Sequence, residues 1–315
     1  YTYADLSTAT FIREFLAEKI TGQNAMSVQA VWQRMVHEAR NLGQTSIVAM
    51  GISAVDNALW DLKAKLLGVS LATLLGPVRE GTPIYGSGGF TSYSIDQLQK
   101  QLSGWAKQGI PRVKMKVGRD PERDPERVKA ARDAIGPDVQ LFVDANGAYD
   151  RKQALEMAEK FSEFDVSWFE EPVIADDLEG LHLLRDRAPA GMDIAAGEYG
   201  YDLGYFHRML NAQSVDVLQA DVTRCCGITG FLQAATLCEA HHIPVSAHCA
   251  PAQHVHVGCT ALPFRHLEYF HDHVRIERML FDGLPELKNG ELRPDLSSPG
   301  CGLEFKRADA EKFRV

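Results

Sequence analysis

The sequence predicts an α/β protein: a (β/α)₈ barrel of the TIM type with a smaller α+β capping domain before it. Three observations predict it. Residues 1 to about 80 carry helical periodicity with no strand alternating between the helices. Beyond them, short apolar strands alternate with amphipathic stretches, and the unit of about 25 residues recurs eight times. No Gly-x-Gly-x-x-Gly follows the first of these strands, which removes the main cue for an open dinucleotide-binding sheet.

The capping segment reads as helices over residues 10–19, 27–40 and 46–67. In the second, Val28, Val31, Trp32, Met35 and Val36 fall at i, i+3, i+4 spacing, one apolar face of a helix. The third carries Ile52, Val55, Leu59, Leu62 and Leu66 and stops at Gly68, where a left-handed residue ends a helix cheaply. Leu75-Gly76-Pro77 then breaks the chain. Strands are expected at 84–86, 113–116, 140–143, 167–169, 193–196, 215–219, 244–247 and 266–268. Helices are expected between most of them, at 95–108, 125–135, 152–164 and 228–241. The chain thus divides into the helical part of a cap (1–80), a barrel (81–275) and a C-terminal segment (276–315) that packs back on the cap. It opens Tyr1-Thr2-Tyr3-Ala4-Asp5, with neither an initiator methionine nor a secretory signal, so the sequence is expected to begin inside a longer protein.

A length of 315 residues suits one large barrel plus a smaller domain, and 45% hydrophobic with 24% charged residues is an ordinary globular balance. The net charge of -9, with no Lys/Arg-rich run, sets nucleic acid aside. No apolar run reaches the roughly 18 residues of a membrane span. An anionic substrate stays compatible, because a bound cation and a few lysines reverse the sign inside one pocket. Six cysteines, Cys225, Cys226, Cys238, Cys249, Cys259 and Cys301, lie in the last third with no CxxC pair. They read as small buried hydrophobes in a reduced, cytoplasmic setting.

Catalytic groups of such a barrel sit where its strands end. Strand two ends in Lys114-Met115-Lys116, strand three in Asp144, strand four in Glu170 and strand five in Glu198. Strand six reaches Asp221, strand seven His248 and strand eight Glu268. Asp144, Glu170 and Glu198 follow one another at intervals of 26 and 28 residues, one βα unit each, so all three meet at the barrel mouth. One such acid alone reads better as a helix cap. Three converging carboxylates repel unless a hard cation joins them, and all-oxygen ligands suit Mg²⁺. Lys114 and Lys116 alternate along a strand, so both point to the interior, where ammonium groups require carboxylates or an anionic ligand. Their closeness to each other and to a cation is expected to lower the pKa of one, leaving a base near neutral pH. His248 is the second acid/base candidate, with Asp221 one βα unit earlier to hold its ring.

The ordered set Lys-x-Lys, Asp, Glu, Glu, Asp, His, Glu closely resembles the mandelate racemase subgroup of the enolase superfamily. The resemblance spans nearly the whole chain, from the cap helix with Trp60-Asp61-Leu62-Lys63 to Glu268. It implies that Asp144, Glu170 and Glu198 are the Mg²⁺ ligands. Lys116 matches the base on one substrate face, with Lys114 beside it, and His248 with Asp221 matches the dyad on the other. Glu268 matches a residue that hydrogen-bonds a substrate carboxylate oxygen, in its protonated form, and Asn146 a position that contacts substrate near the metal. The partner implied is a small-molecule carboxylate, and the assembly a homo-oligomer. Two departures stand out. Cys226-Gly227 replaces the usual Gly-Gly after Asp221-Val222-Thr223-Arg224, and the strands and closing loop with which members of the family begin are expected to precede this sequence.

The resemblance implies abstraction of the α-proton through an enediolate, which Mg²⁺ stabilises. Loss of a β-hydroxyl then gives an acid-sugar dehydratase, the leading expectation. Return of the proton on the opposite face gives a 2-hydroxyacid racemase or epimerase, the alternative. Cycloisomerases and dipeptide epimerases are set aside, since they typically use a lysine in the region where this chain has His248. A zinc hydrolase lacks its His-x-His after strand one, where Tyr85-Gly86-Ser87-Gly88 stands. A non-catalytic scaffold has no use for seven aligned ionisable strand ends.

Overall fold

The structure, a computed structural model, describes residues 1–314. Asp5 starts α1 (Leu6–Phe11) by accepting from the Ser7 N–H at 2.8 Å, and a π-turn over Ile12–Leu16 leads into α2 (Ala17–Ile20). That cap moves the first helix start ahead of the expected residue 10. Next come α3 (Val28–Glu38), α4 (Ile47–Leu67) and α5 (Leu71–Leu75), with Gly68 at φ 69° ending α4. Leu16, Met35, Ala49 and Ile52 bury one another, and Tyr201 and Cys226 from barrel loops pack into the same cluster. The cap therefore rests on the loops of the barrel.

The barrel units are β1 (Thr82–Gly88), α6 (Ile95–Lys107), β2 (Arg112–Lys116), α7 (Asp124–Ile135), β3 (Gln140–Asp144) and α8 (Arg151–Ser162). They continue as β4 (Val166–Glu170), α9 (Leu178–Arg187), β5 (Asp193–Ala196), α10 (Leu203–Asn211), β6 (Val217–Ala220) and α11 (Gly227–Ala240). β7 (Val245–Ala247), α12 (Pro251–Thr260), β8 (Phe264–Phe270) and α13 (His271–Leu280) complete them. The eight strands are parallel, neighbours follow sequence order, and β1 also pairs with β8, which closes the barrel. All eight expected strands form. Of the helices absent from the sequence reading, α12 shows why: Pro251 to Cys259 are all buried, so no polar face marks its period.

Tyr85, Phe142, Trp168, Ala195 and Val217 fill the barrel interior as one layer. Lys114 Nζ lies 5.2 Å above the Tyr85 ring, so this layer is the floor of whatever the mouth holds. The cap is fastened at α11, whose first residue follows Cys226 at φ 64° with no side-chain cap of its own. Its orphan N–H groups on Ile228 and Thr229 donate to Asn57 and Asp56 of α4, each at 2.9 Å.

After α13 come β9 (Phe281–Asp282), β10 (Glu286–Lys288), β11 (Glu291–Arg293), β12 (Glu304–Phe305) and α14 (Arg307–Ala310). This tail divides between two partners. The β10–β11 hairpin pairs antiparallel with the start of β1, Leu292 opposite Thr82, and so extends the barrel sheet. Gly300 and Cys301 reach the cap, through Ser70 and through a 2.7 Å bond from the Cys301 N–H to Asp61. Residue 275 falls inside α13. Among the described residues no helix is long and apolar enough to cross a membrane.

Candidate active site

Strand register assembles the acids. Lys116 sits opposite Asp144, and Asp144 opposite Glu170, so these three occupy one level at the strand ends. Glu198 joins them through Gly197, where φ is 134° and any Cβ would collide with the Gln219 carbonyl. The three carboxylates are buried and offer oxygens all within 4.8 Å of one another. Glu198 Oε2 has no hydrogen-bond partner, an unsatisfied buried carboxyl oxygen. A hard divalent cation fits this donor set, which is oxygen only and carries the charge to neutralise it.

The two lysines meet the acids. Lys114, wholly buried, contacts Glu170 and lies 2.8 Å from Glu268 and 3.5 Å from Asp144, while Lys116 contacts Asp144. Burial is the largest influence on the Lys116 pKa and lowers it, as does Lys114, but Asp144, Glu170 and Glu198 together hold the ammonium above its ordinary range. Charge from Asp144 is the stronger neighbour. Asp144 itself is pulled down to about 2, burial being overcome by Lys116 and Lys114. Glu170 is driven up, by burial and by Asp144.

Burial favours the neutral form of Glu268, yet Lys114 and His248 hold its pKa well below the carboxylate range. It accepts from Ser87 Oγ at 2.6 Å and from the Cys249 N–H at 2.9 Å. The dyad forms as expected from spacing: His248 Nδ1 is 2.8 Å from Asp221 Oδ2. The other Asp221 oxygen accepts from Thr223 N–H at 2.7 Å and its hydroxyl at 2.8 Å. Burial opposes ionisation of Asp221, but the bond and charge of His248 depress its pKa strongly. With that side engaged, His248 Nε2 faces inward, 3.2 Å from Glu198 and 3.8 Å from Glu268.

Asn146, at φ 44°, donates its N–H to Asp144 at 2.9 Å and leaves its side chain exposed in the loop after β3. The sequence reading missed three contributors. Glu171 is buried with one oxygen unpartnered, and burial together with Glu198 pushes its carboxyl up to about 10. Arg224 lies 3.3 Å from Glu198, and Trp168 Nε1 donates to Glu170 at 2.9 Å. Arg224 stands inside a motif already singled out and Glu171 directly follows Glu170; Trp168 was recognisable only as period-2 with Glu170 on its strand.

Comparison with known proteins agrees with this architecture. The family profile described as Mandelate racemase / muconate lactonizing enzyme, N-terminal domain, matches residues 1–76, and that described as Enolase C-terminal domain-like matches residues 97–310. L-talarate/galactarate dehydratase of Salmonella typhimurium is 32% identical over 88% of this chain and 69% of its own. A structure of that enzyme with Mg and L-lyxarohydroxamate superposes with a TM-score of 0.89, at 28% identity over 98% and 79% of the two chains. D-galactarolactone cycloisomerase of Agrobacterium fabrum is 30% identical over 94% and 82%. A mandelate racemase/muconate lactonizing enzyme-like protein from Rubrobacter xylanophilus is 56% identical over 99% and 87%, with a TM-score of 0.97. The sequence reading set cycloisomerases aside, yet one stands beside the dehydratase in similarity.

Proposed function

This chain belongs to the mandelate racemase/muconate lactonizing enzyme family, and from that premise we propose that it dehydrates an acid sugar in the presence of Mg²⁺. The observation that carries the reading is the meeting of Asp144, Glu170 and Glu198 between Lys116 on one flank and the His248–Asp221 dyad on the other. Held by the three carboxylates, Mg²⁺ supplies a positive anchor for the substrate carboxylate and for the charge that builds on it when the α-proton leaves.

Lys116, reachable from the mouth, takes that proton at Nζ. A cation held by Asp144 would loosen the pairing that keeps Lys116 charged. The electron pair left on carbon moves into the carboxylate, and Lys114 places its charge beside it. His248 gives its proton from Nε2 to the β-hydroxyl, which departs as water, and the enol product rearranges to a 2-keto acid. Asp221 holds the imidazole in place, and Glu268 holds Lys114. Asn146 reaches substrate from the loop after β3.

A panel of aldonates and aldarates incubated with Mg²⁺, read for 2-keto acid, tests this. Keto acid that disappears on chelation is expected. Exchange of the α-hydrogen with deuterium and no keto acid would move the reading to a racemase. The cycloisomerase relative supports a second reading, in which the same groups act on a lactone or anhydro sugar; turnover of those compounds alone would select it. Six free cysteines suit the cytoplasm, and Leu62 and Leu66, exposed one turn apart on α4, suit a homo-oligomer that sedimentation velocity can weigh.

A further inference from the structure

Beside the three metal-binding carboxylates lies a cluster of different chemistry. His248, Cys249 and Glu268 each offer one ligand atom, all within 4.8 Å of one another. From His248 Nε2 it is 3.3 Å to Cys249 Sγ, 3.2 Å to Glu198 Oε2 and 3.8 Å to the nearer Glu268 oxygen. A tetrahedral Zn²⁺ with bonds of about 2.0–2.3 Å sets its donors roughly 3.3–3.6 Å apart, close to the separations of His248 Nε2 from Cys249 Sγ and from Glu268. Two successive left-handed residues, Cys249 at φ 55° and Ala250 at φ 38°, bring the thiol back beside the preceding imidazole. His248 Nδ1 is engaged by Asp221 at 2.8 Å, the carboxylate-behind-imidazole arrangement that orients a ligand histidine.

We propose that His248, Cys249 and Glu268 form a second cation subsite for thiophilic metals such as Zn²⁺, and that filling it silences the enzyme. The nitrogen and sulfur donors separate it from the neighbouring all-oxygen set. Binding replaces the thiol proton, which leaves to solvent. Silencing follows because the ion takes the His248 lone pair; that consequence, unlike the binding, rests on the function proposed above.

Co²⁺ is the probe, titrated into the Mg²⁺-saturated protein and read by its thiolate-to-metal charge-transfer absorption in the near ultraviolet. The band is expected in the wild type and absent in both Cys249→Ser and Cys249→Ala. Those variants are expected to keep Mg²⁺-dependent turnover and to need roughly ten- to a hundredfold more Zn²⁺ for equal inhibition. No band in the wild type, or a band that survives both substitutions, overturns the proposal. So does equal Zn²⁺ inhibition of all three proteins relieved by excess Mg²⁺, which assigns the ion to the carboxylates. The absorption is read without turnover, so failure of the acid-sugar reading leaves the binding result standing.

Discussion

Lys114→Met removes the ammonium shared by three buried acids. Its Nζ contacts Glu170, lies 2.8 Å from Glu268 and 3.5 Å from Asp144, and none of the side chain is exposed. Methionine keeps the length and the apolar stem but leaves those carboxylates without their common counter-ion. Removing one partner of a buried ion pair costs about 3–5 kcal/mol, because the remaining charge stays desolvated. Lys116 still serves Asp144, and Glu170 can take up a proton, so the lower end, about 3 kcal/mol, is expected at pH 7. Saturation with Mg²⁺ at about 100 times its dissociation constant adds about 2.7 kcal/mol to a protein that binds it only when folded. The variant binds Mg²⁺ without competition from Lys114, so its gain exceeds that of the wild type. Urea-unfolding midpoints of both proteins, followed by circular dichroism in EDTA and in saturating Mg²⁺, measure this. A wide gap in EDTA that narrows in Mg²⁺ is expected, with turnover of the Mg²⁺-bound variant lowered roughly 10²–10³-fold. Equal gaps in the two buffers, or no gap in EDTA, would refute the view that Lys114 neutralises the acid cluster.

Three further outcomes follow from the same geometry. Glu198→Gln is expected to weaken Mg²⁺ binding by at least about tenfold and to abolish turnover at ordinary Mg²⁺ levels; isothermal titration reads the affinity, and full activity in metal-free buffer contradicts it. His248→Asn is expected to stop keto-acid formation while Lys116 still washes deuterium into the α-position, so loss of both in a folded variant argues against two separate groups. Glu277 supplies a pH test away from the mouth. Burial, against a 2.7 Å bond from Tyr1, pushes its carboxyl up to about 7. Its folded value is above the unfolded one, so its contribution is complete below about pH 4 and lost as pH rises through about 7. Glu277→Gln is therefore expected to stabilise the protein by roughly 2–3 kcal/mol at pH 8 relative to its effect at pH 4. Urea midpoints that shift equally at both pH values would contradict it.

The order of strands and the level of each candidate catalytic group were readable in the chain itself. A βα repeat advances one strand around the barrel, so spacings such as Asp144 to Glu170 to Glu198 translate directly into neighbours at the mouth. Period-2 alternation likewise placed Lys114 and Lys116 on one face. Helices with a polar side were readable too, whereas α12, buried from Pro251 to Cys259, had no pattern to read.

What only the tertiary structure decided is charge state and contact between neighbours whose spacing carries no rule. Whether Lys116 is held charged, and whether Glu268 keeps its proton, depends on a sum over Asp144, Lys114 and His248, residues brought together from different strands. Capping of α11 by Asp56 and Asn57 depends on where the cap docks. The approach of Cys249 to His248 depends on two backbone angles. Spacing along the chain determines which strand end a residue occupies; the field it experiences there is a property of every charge that folding places within a few ångströms.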